Sequence, residues 1–383
     1  MKILMVSMFS NHFFRWTEQL SESGHEVYWL DVFDSNTRVN KIDFVHQIIG
    51  WRNKVDYPGR YWIKNHLPGV NKFVNKFNQR KLEEIVEKKI QEIRPDVVQS
   101  FVLFSAAYPI ISVMEKYPEI KWIYSAWGND LYYMQQIAEE LKKIKASLPL
   151  FDYMFADCKR DRELGAELGF KGEYLGTFPG GGGYESSKWK DSMVTFENRK
   201  IILIKGYEGM LGRASFVVEA ISEIQEDLKS YEVVIFGCNA ELKPYLENIG
   251  LTRWNNVQVL DQIPHSEVMK LMGSALLYIG NCISDGMPNT LLEALVMGAF
   301  PIQSNPGGAS AEIIDHKVNG FLIEDPENSQ EIQLLIQKAL RDPYFMKSAT
   351  VYNCEHILPQ LEREYITGQV LAKYSQVESE LNK

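Results

Sequence analysis

The segment ISDGMPNTLLEA (283–294) carries two carboxylates eight positions apart, Asp285 ahead of an apolar helix and Glu293 inside it. Backbone N–H groups at a helix start lack intrahelical partners and attract anions. A diphosphate is therefore expected along Gly286, Met287, Pro288, Asn289, Thr290 and Leu291, centred on 288–291. Asp285 and Glu293 would accept hydrogen bonds from hydroxyls on either side, because ionised oxygens form short, charge-assisted bonds. The alternative is a capped helix whose Glu293 is simply exposed. A second candidate is KGYEGMLGR (205–213), a glycine-rich turn after a strand-like run. Lys205 and Arg213 suit phosphate neutralisation there, Gly206 is a donor-binding candidate beside them, and the guanidinium fork favours Arg213 for bidentate contact. Two solvated surface cations are the competing reading.

Nearer the N-terminus, SNHF (10–13) is expected in the loop after the first strand, which makes Asn11 an acceptor-side candidate and His12 a catalytic one, with the chemistry to orient or deprotonate a hydroxyl. A hydrogen-bonded surface histidine is the alternative. Asp130 follows a strand that runs out at Gly128 and Asn129, and is read either as a hydroxyl-binding group or as the N-cap of a helix over LYYMQQIAEEL. The DCKRD run (157–161) is expected to make local salt bridges. The second half shows neither a DxD-type nor a histidine-rich cluster, so no metal ligands are assigned.

The elements needed to position these residues alternate strand and helix. Expected strands lie at 2–8, 25–32, 96–102, 121–127, 152–158 and 172–178, with helices at 14–24, 70–93 and up to Gly169. A polar, glycine-rich break at 179–200 precedes a second series. Its strands are expected at 200–206, 232–238, 257–263, 275–281, 299–305 and 321–325, and its helices at 214–228, 265–273, 290–297 and near 309–316. Such alternation signals parallel sheets covered by helices, with ligands beyond the carboxyl ends of the strands. The expected fold is α/β, two Rossmann-like domains facing across a cleft. An N-terminal domain spans 1–185, with about 358–383 crossing back onto it, and a C-terminal domain spans 195–355.

At 383 residues the chain is large enough for two cores. Its net charge of −9 argues against general nucleic-acid binding, which needs many cations. The charge is uneven: residues 1–190 hold 26 Lys and Arg against 24 Asp and Glu, and residues 191–383 hold 15 against 26. Cys158, Cys238, Cys282 and Cys354 are too widely spaced for a zinc knuckle and fit reduced thiols. With no apolar membrane span and no signal-peptide pattern, a cytoplasmic location is expected.

Taken together, SDGMPNTLLEA, GAFPI (298–302), GGASAEII (307–314) and NGFLI (319–323) resemble, in order and spacing, the C-terminal motif of GT-B fold glycosyltransferases of family 4. Those enzymes use nucleotide sugars and retain anomeric configuration. The resemblance implies that Glu293 holds the donor ribose, and that Asp285, standing where the family has a Glu, contacts the donor sugar through a carboxylate one methylene shorter. GGASAEII is one residue longer than the usual form. GHEV (24–27), RPDVV (94–98) and WGND (127–130) look like acceptor-domain landmarks. Trp127 occupies the place of a common family histidine, two residues before Asn129, so that role is not carried over; Trp127 and Asn129 are kept as acceptor-side candidates. FPGGGGYE (178–185) replaces the family's P-N-G-V-D turn. Arg213 falls where the family has a Lys, and Lys205 is the second cation at an altered spacing.

The resemblance further implies a metal-independent, cofactor-free transfer of a sugar from a nucleoside diphosphate, a UDP-sugar, to a hydroxyl of a glycan or lipid-linked acceptor in surface polysaccharide synthesis. Arg213, Lys205 and the helix start would absorb charge on the departing diphosphate. An epimerase of the same fold and a non-catalytic partner subunit are the rival readings. Residues 38–94 hold 13 Lys and Arg against 6 Asp and Glu, interleaved with Trp51, Tyr57, Tyr61, Trp62, Phe73 and Phe77. That mixture suits peripheral contact with an inner membrane face. The alternative, preferred on periodicity, makes 70–93 an amphipathic helix packed on the core.

Overall fold

Runs such as ILMV (3–6) and VVIF (233–236) have no polar face, and a strand without a polar face must be covered on both sides. The computed structural model describes residues 1–55 and 58–382, with only the backbone at 60, 61 and 64. Tyr57 and the side chain of Tyr61 therefore lie outside the described residues. The chain divides into two units: Met1–Ala156, Arg162–Gly181 and Val370–Lys383 form the first, and Asp157–Asp161 with Gly182–Gln369 form the second.

The first unit is built on seven parallel strands: β1 (Lys2–Ser7), β2 (Glu26–Asp31), β3 (His46–Ile48), β4 (Val97–Phe101), β5 (Lys121–Ala126), β6 (Tyr153–Ala156) and β7 (Glu173–Thr177). Their order is β3-β2-β1-β4-β5-β6-β7. Ile3 of the central β1 lies opposite Val27 on one side and Val97 on the other. The short β3 was not expected from the sequence.

The second unit has six: β8 (Ile201–Lys205), β9 (Glu232–Phe236), β10 (Val257–Val259), β11 (Ala275–Gly280), β12 (Phe300–Ser304) and β13 (Phe321–Ile323), ordered β10-β9-β8-β11-β12-β13. Alternate residues of the same strands enter two different cores. Ile202, Ile204, Val233, Ile235, Leu277 and Ile279 pack on one face. Leu203, Val234, Phe236 and Tyr278 pack on the other. No helix among the described residues is long and apolar enough to cross a membrane.

Several expected boundaries move, for local reasons. The first helix is Asn11–Glu18, because the Ser10 side chain caps it by accepting the Phe13 N–H at 3.2 Å; His12 thus sits in a first helical turn, not in a loop. No regular helix forms near 309–316. Two short turns, Pro306–Gly308 and Ser310–Glu312, take its place. Ser310 donates its hydroxyl to Ser304 O and Asn305 Oδ1 accepts from Ala311 N–H, local bonds that compete with helix formation. The expected helix at 70–93 is broken at Gln79, which is extended and pairs with Asn53. Leu82–Ile93 buries Ile85, Val86, Ile90 and Ile93, whereas Pro68–Asn78 buries no residue. Core packing therefore holds only for the second piece.

The division of the chain also differs from the one read in the sequence. Residues 157–161 and 182–185 group with the second unit, and so do residues up to 369. Tyr184 explains part of this: its N–H donates to Leu361 O and its carbonyl accepts from Arg363 N–H, both at 2.8 Å. The helix Arg363–Leu381 then contributes its later turns to the first unit, where Val370, Tyr374 and Val377 are fully buried. The Tyr374 hydroxyl donates to Gln99 Oε1 at 2.6 Å and accepts from Trp16 Nε1–H at 3.1 Å, and burial pushes its pKa well above the ordinary value.

Replacing Tyr374 with Phe strands a buried indole N–H and a buried amide oxygen. The expected cost is about 1–3 kcal/mol, read as a lowered urea midpoint. Tyr365→Phe, at an exposed position of the same helix, is expected to stay within about 0.5 kcal/mol of the parent.

Candidate functional site

In the second sheet the chain leaves β8 toward β9 and leaves β11 toward β12, so the adjacent carboxyl ends of β8 and β11 mark the point where the crossovers diverge. Lys205 ends β8 and Gly280 ends β11. The two loops that follow are zipped together. Gly212 pairs antiparallel with Cys282, Ile283 N–H donates to Leu211 O at 2.9 Å, and Arg213 N–H donates to Asn281 O at 3.1 Å. Asn281 Nδ2 returns a bond to Arg213 O at 2.9 Å. Both sequence candidates of this half, 205–213 and 283–293, therefore share one corner of one sheet.

Gly206 is required there by a close approach: a Cβ would lie 2.8 Å from Ile235 Cγ2 and 3.0 Å from Cys238 Cα. Its N–H is spent on Phe236 O at 2.8 Å, so its role is spatial. Arg213 is the N-cap residue of the helix Ala214–Ser222. Its Nε donates to Glu327 at 2.6 Å, and its Nη1 donates to the carbonyls of Gly209 at 2.9 Å and Gly212 at 2.7 Å. It is thus ion-paired, not a simply solvated cation.

The helix Asn289–Val296 starts behind Pro288 with no side-chain cap. Leu291 and Leu292 donate their N–H groups to Pro288 O at 3.0 and 3.2 Å. The amides that the helix itself leaves for an anion are those of Asn289 and Thr290, which narrows the expected stretch. Leu291 and Met287 turn their side chains into the core and offer a ligand only backbone. Two tyrosines brace this start. Tyr278, fully buried in β11, donates to Thr290 Oγ1 at 2.8 Å, and Tyr184 donates to Asn289 O at 3.2 Å.

Glu293 is 6% exposed, which removes the reading of an exposed surface carboxylate. Oε1 accepts from His265 Nε2 at 2.7 Å, and His265, 42% exposed at its side chain, heads the helix His265–Ser274. A carboxylate taken out of water needs such a partner. Asp285 is half-buried and its Oδ1 accepts the N–H of Gly286 at 2.9 Å. Cys282, in the second of these loops, is buried. Burial first, and then the Asp285 charge, push its thiol pKa up to about 11, while the Lys205 charge acts the other way. Lys205 and Asp285 therefore both act on one point. Gly286 has no room for a side chain, since its Cβ would fall on the Asp157 carboxylate.

In the first unit, His12 and Asn11 are exposed at the carboxyl end of β1. Asp130 is buried, and its Oδ2 accepts from Leu103 N–H at 2.7 Å and Tyr124 O–H at 2.9 Å. It caps no helix. The helix after it is Ala138–Ser147 and starts behind Ile137, so the N-cap expectation is corrected. Trp127 stands in an aromatic cluster, 4.8 Å from the Phe101 ring and 6.3 Å from Trp16. Neighbouring Asn129 accepts Met134 N–H at its carbonyl.

Sequence reasoning missed several supporting groups. His265 lies 28 residues from Glu293, and no local spacing links them. Glu312 was visible inside GGASAEII, but its work was not: it accepts the N–H groups of Lys159 and Arg160 at 2.7 and 2.8 Å, at the start of the helix Lys159–Glu167. Asp157, Cys158 and Asp161 could converge on a cation, yet Arg160 already pairs with Asp161 at 2.9 Å. Burial, and next the charge of Asp157, push the Cys158 thiol far up.

The family described as glycosyl transferases group 1 matches over residues 186–354, within the second unit. Among solved structures, a sucrose-phosphate synthase from Thermosynechococcus elongatus superposes with a TM-score of 0.75 at 16% identity, covering 99% of each chain. A glycosyltransferase from Rickettsia africae gives 0.68 at 15%, covering 100% of this chain and 98% of that one. HepE of Anabaena, in complex with UDP, gives 0.69 at 13%, covering 98% of this chain and 100% of that one. At such identities the likeness is one of fold, and the fold is GT-B: two α/β units, each built on a parallel sheet.

Gly286→Ala must displace the Asp157 carboxylate or the Asp285 turn. The expected cost is about 1–3 kcal/mol, read as a lowered thermal midpoint. Gly368→Ala has no atom within 4 Å of its new methyl and lies inside a helix. It is expected to stabilise by about 0.5–1 kcal/mol.

Proposed function

We propose, from the match of residues 186–354 to the group 1 glycosyl transferases, that this chain transfers a sugar from a nucleoside-diphosphate donor to an acceptor hydroxyl, with retention of anomeric configuration. The observation that carries this reading is the buried, histidine-paired Glu293 in the second turn of the helix that leaves the β8/β11 switch point. A buried ionised acceptor at that place suits a ribose hydroxyl, whose hydrogen bond would complete the carboxylate's partners.

The donor's diphosphate takes the amides of Asn289 and Thr290, with Lys205 and Arg213 as counter-charges. The Arg213–Glu327 pair is no obstacle, because Glu327 is half exposed and such pairs are worth about 0–1 kcal/mol. Asp285 accepts from a sugar hydroxyl. Charge building on the leaving diphosphate meets dipoles and cations that are already in place, so little reorganisation is needed in the transition state. A UDP-sugar is the proposed donor, in line with the UDP and UDP-glucose complexes of HepE. On the acceptor side, His12, Asn11, Trp127, Asn129 and Asp130 belong to the first unit. Asp130 acts by holding Leu103 and Tyr124. A glycan or lipid-linked acceptor used in surface polysaccharide synthesis, a cytoplasmic reaction and no essential metal or cofactor complete the proposal.

Calorimetry with UDP tests the donor side. Glu293→Ala is expected to weaken UDP at least about tenfold, the loss of one charge-assisted bond. Asp285→Ala is expected to keep UDP affinity and lose turnover. Unchanged UDP affinity in the Glu293 variant overturns the ribose assignment. In the parent, UDP at about 100 times its Kd should add about 2.7 kcal/mol to stability. Incubation of the parent with donor alone is expected to yield no new sugar nucleotide; appearance of one would replace transfer by epimerisation.

A further inference from the structure

The segment that sequence periodicity would have packed on the core is instead an amphipathic protrusion with its apolar side uncovered. Pro68–Asn78 buries none of its residues. Phe73 and Phe77 are 67% and 61% exposed, with ring centroids 5.4 Å apart, and Val70 one turn earlier extends the stripe. The preceding helix, Arg60–His66, adds Trp62 at 58% exposure, stacked on His66 at 4.9 Å. Lys72 and Lys76 are exposed along one side of the stripe.

The protrusion is firmly hinged to the first unit. Lys54 N–H donates to Asn78 O at 2.7 Å and Arg80 N–H to Arg52 O at 2.8 Å. Arg80 Nη1 clamps the carbonyls of Trp51 and Asn53 at 2.7 and 3.0 Å, and Trp51 is itself in the core. A stripe of this kind on a strained or frayed loop would mean little; here it is held out by a closed base.

The charge pattern selects the occupant. Residues 57–82 contain six Lys and Arg and no Asp or Glu, in a chain whose net charge is −9. Exposed contiguous aromatics mark an interaction surface. A short cationic helix with Phe and Trp on one face and its backbone bonds satisfied internally fits the boundary between headgroups and acyl chains. Anionic headgroups attract each Lys or Arg near the surface.

We propose that the helical protrusion 58–80 docks this protein on an anionic lipid surface, with Trp62, Val70, Phe73 and Phe77 entering the interface and Lys72 and Lys76 meeting the headgroups. The inference rests on this surface and stands apart from the donor chemistry, although it agrees with a lipid-linked acceptor.

Co-sedimentation of the full chain with vesicles tests it. Binding is expected to vesicles of phosphatidylcholine mixed with phosphatidylglycerol, and not to phosphatidylcholine alone, and should weaken as salt is raised. Phe73→Ser with Phe77→Ser, and separately Lys72→Glu with Lys76→Glu, should each lower partitioning at least about tenfold. Both double variants alter exposed positions, so circular dichroism melting should match the parent. Equal binding to both vesicle types, no binding to either, or parent-like binding by the variants overturns the proposal. So does a parent dimer in analytical ultracentrifugation that the Phe73/Phe77 variant abolishes, since a second copy would then cover the stripe. Loss of UDP binding in the Glu293 variant, or its persistence, leaves the vesicle result untouched, so the two readings fail separately.

Discussion

A carboxylate withdrawn from water must be answered by a partner, and in this protein Glu293 makes that demand at the corner where the second sheet changes direction. The helix carrying it is braced from below by Tyr278 and from the flank by Tyr184, and the answering group is His265. These contacts fix the height and rotation of the helix start. The unsatisfied amides of Asn289 and Thr290 and the Asp285 turn inherit their positions from it. Burial on both faces of the sheet makes the arrangement rigid, because every second residue of β8, β9 and β11 is locked into one core or the other.

The cationic side of the corner works by a weaker hold. Arg213 is kept by Glu327 and two backbone carbonyls, all at a partly exposed place where charge pairs exchange easily. A polyanionic ligand can compete for such a guanidinium, whereas it could not compete for a fully buried one. The charges of Lys205 and Asp285 act on Cys282 with opposite sign, so the corner carries both signs, as a ligand with a negative diphosphate and neutral hydroxyls requires.

Elsewhere the fold spends carboxylates on architecture. Asp130 ties a backbone amide and a tyrosine inside the first unit, and Glu312 caps the helix that begins at Lys159. Both stand in segments that look like family landmarks, which cautions against equating a motif acid with chemistry. The protrusion at 58–80 is the opposite case. Its residues follow a core-like period but no core receives them, because the chain at Gln79 turns back to pair with Asn53 and holds the helix away from the sheet.

All strands but the short β3 were legible in the sequence because their cause is local: an unbroken apolar run needs cover on two sides whatever lies next to it. The helix start after Pro288 and the order of motifs through 323 were legible for the same reason, since backbone geometry is set within a few residues; Gly206 and Gly286 stood in those motifs, but the neighbours that require them, Ile235, Cys238 and Asp157, lie far away in sequence. The partners were not. His265 meets Glu293 across 28 positions, Arg213 meets Glu327 across 114, and Glu312 meets Lys159 across 153. Periodicity tells which face of a helix is apolar, but not whether another surface arrives to cover it. Only the tertiary packing decided that Glu293 is buried, that Asp130 holds Leu103 and Tyr124 and that Phe73 and Phe77 remain in the open.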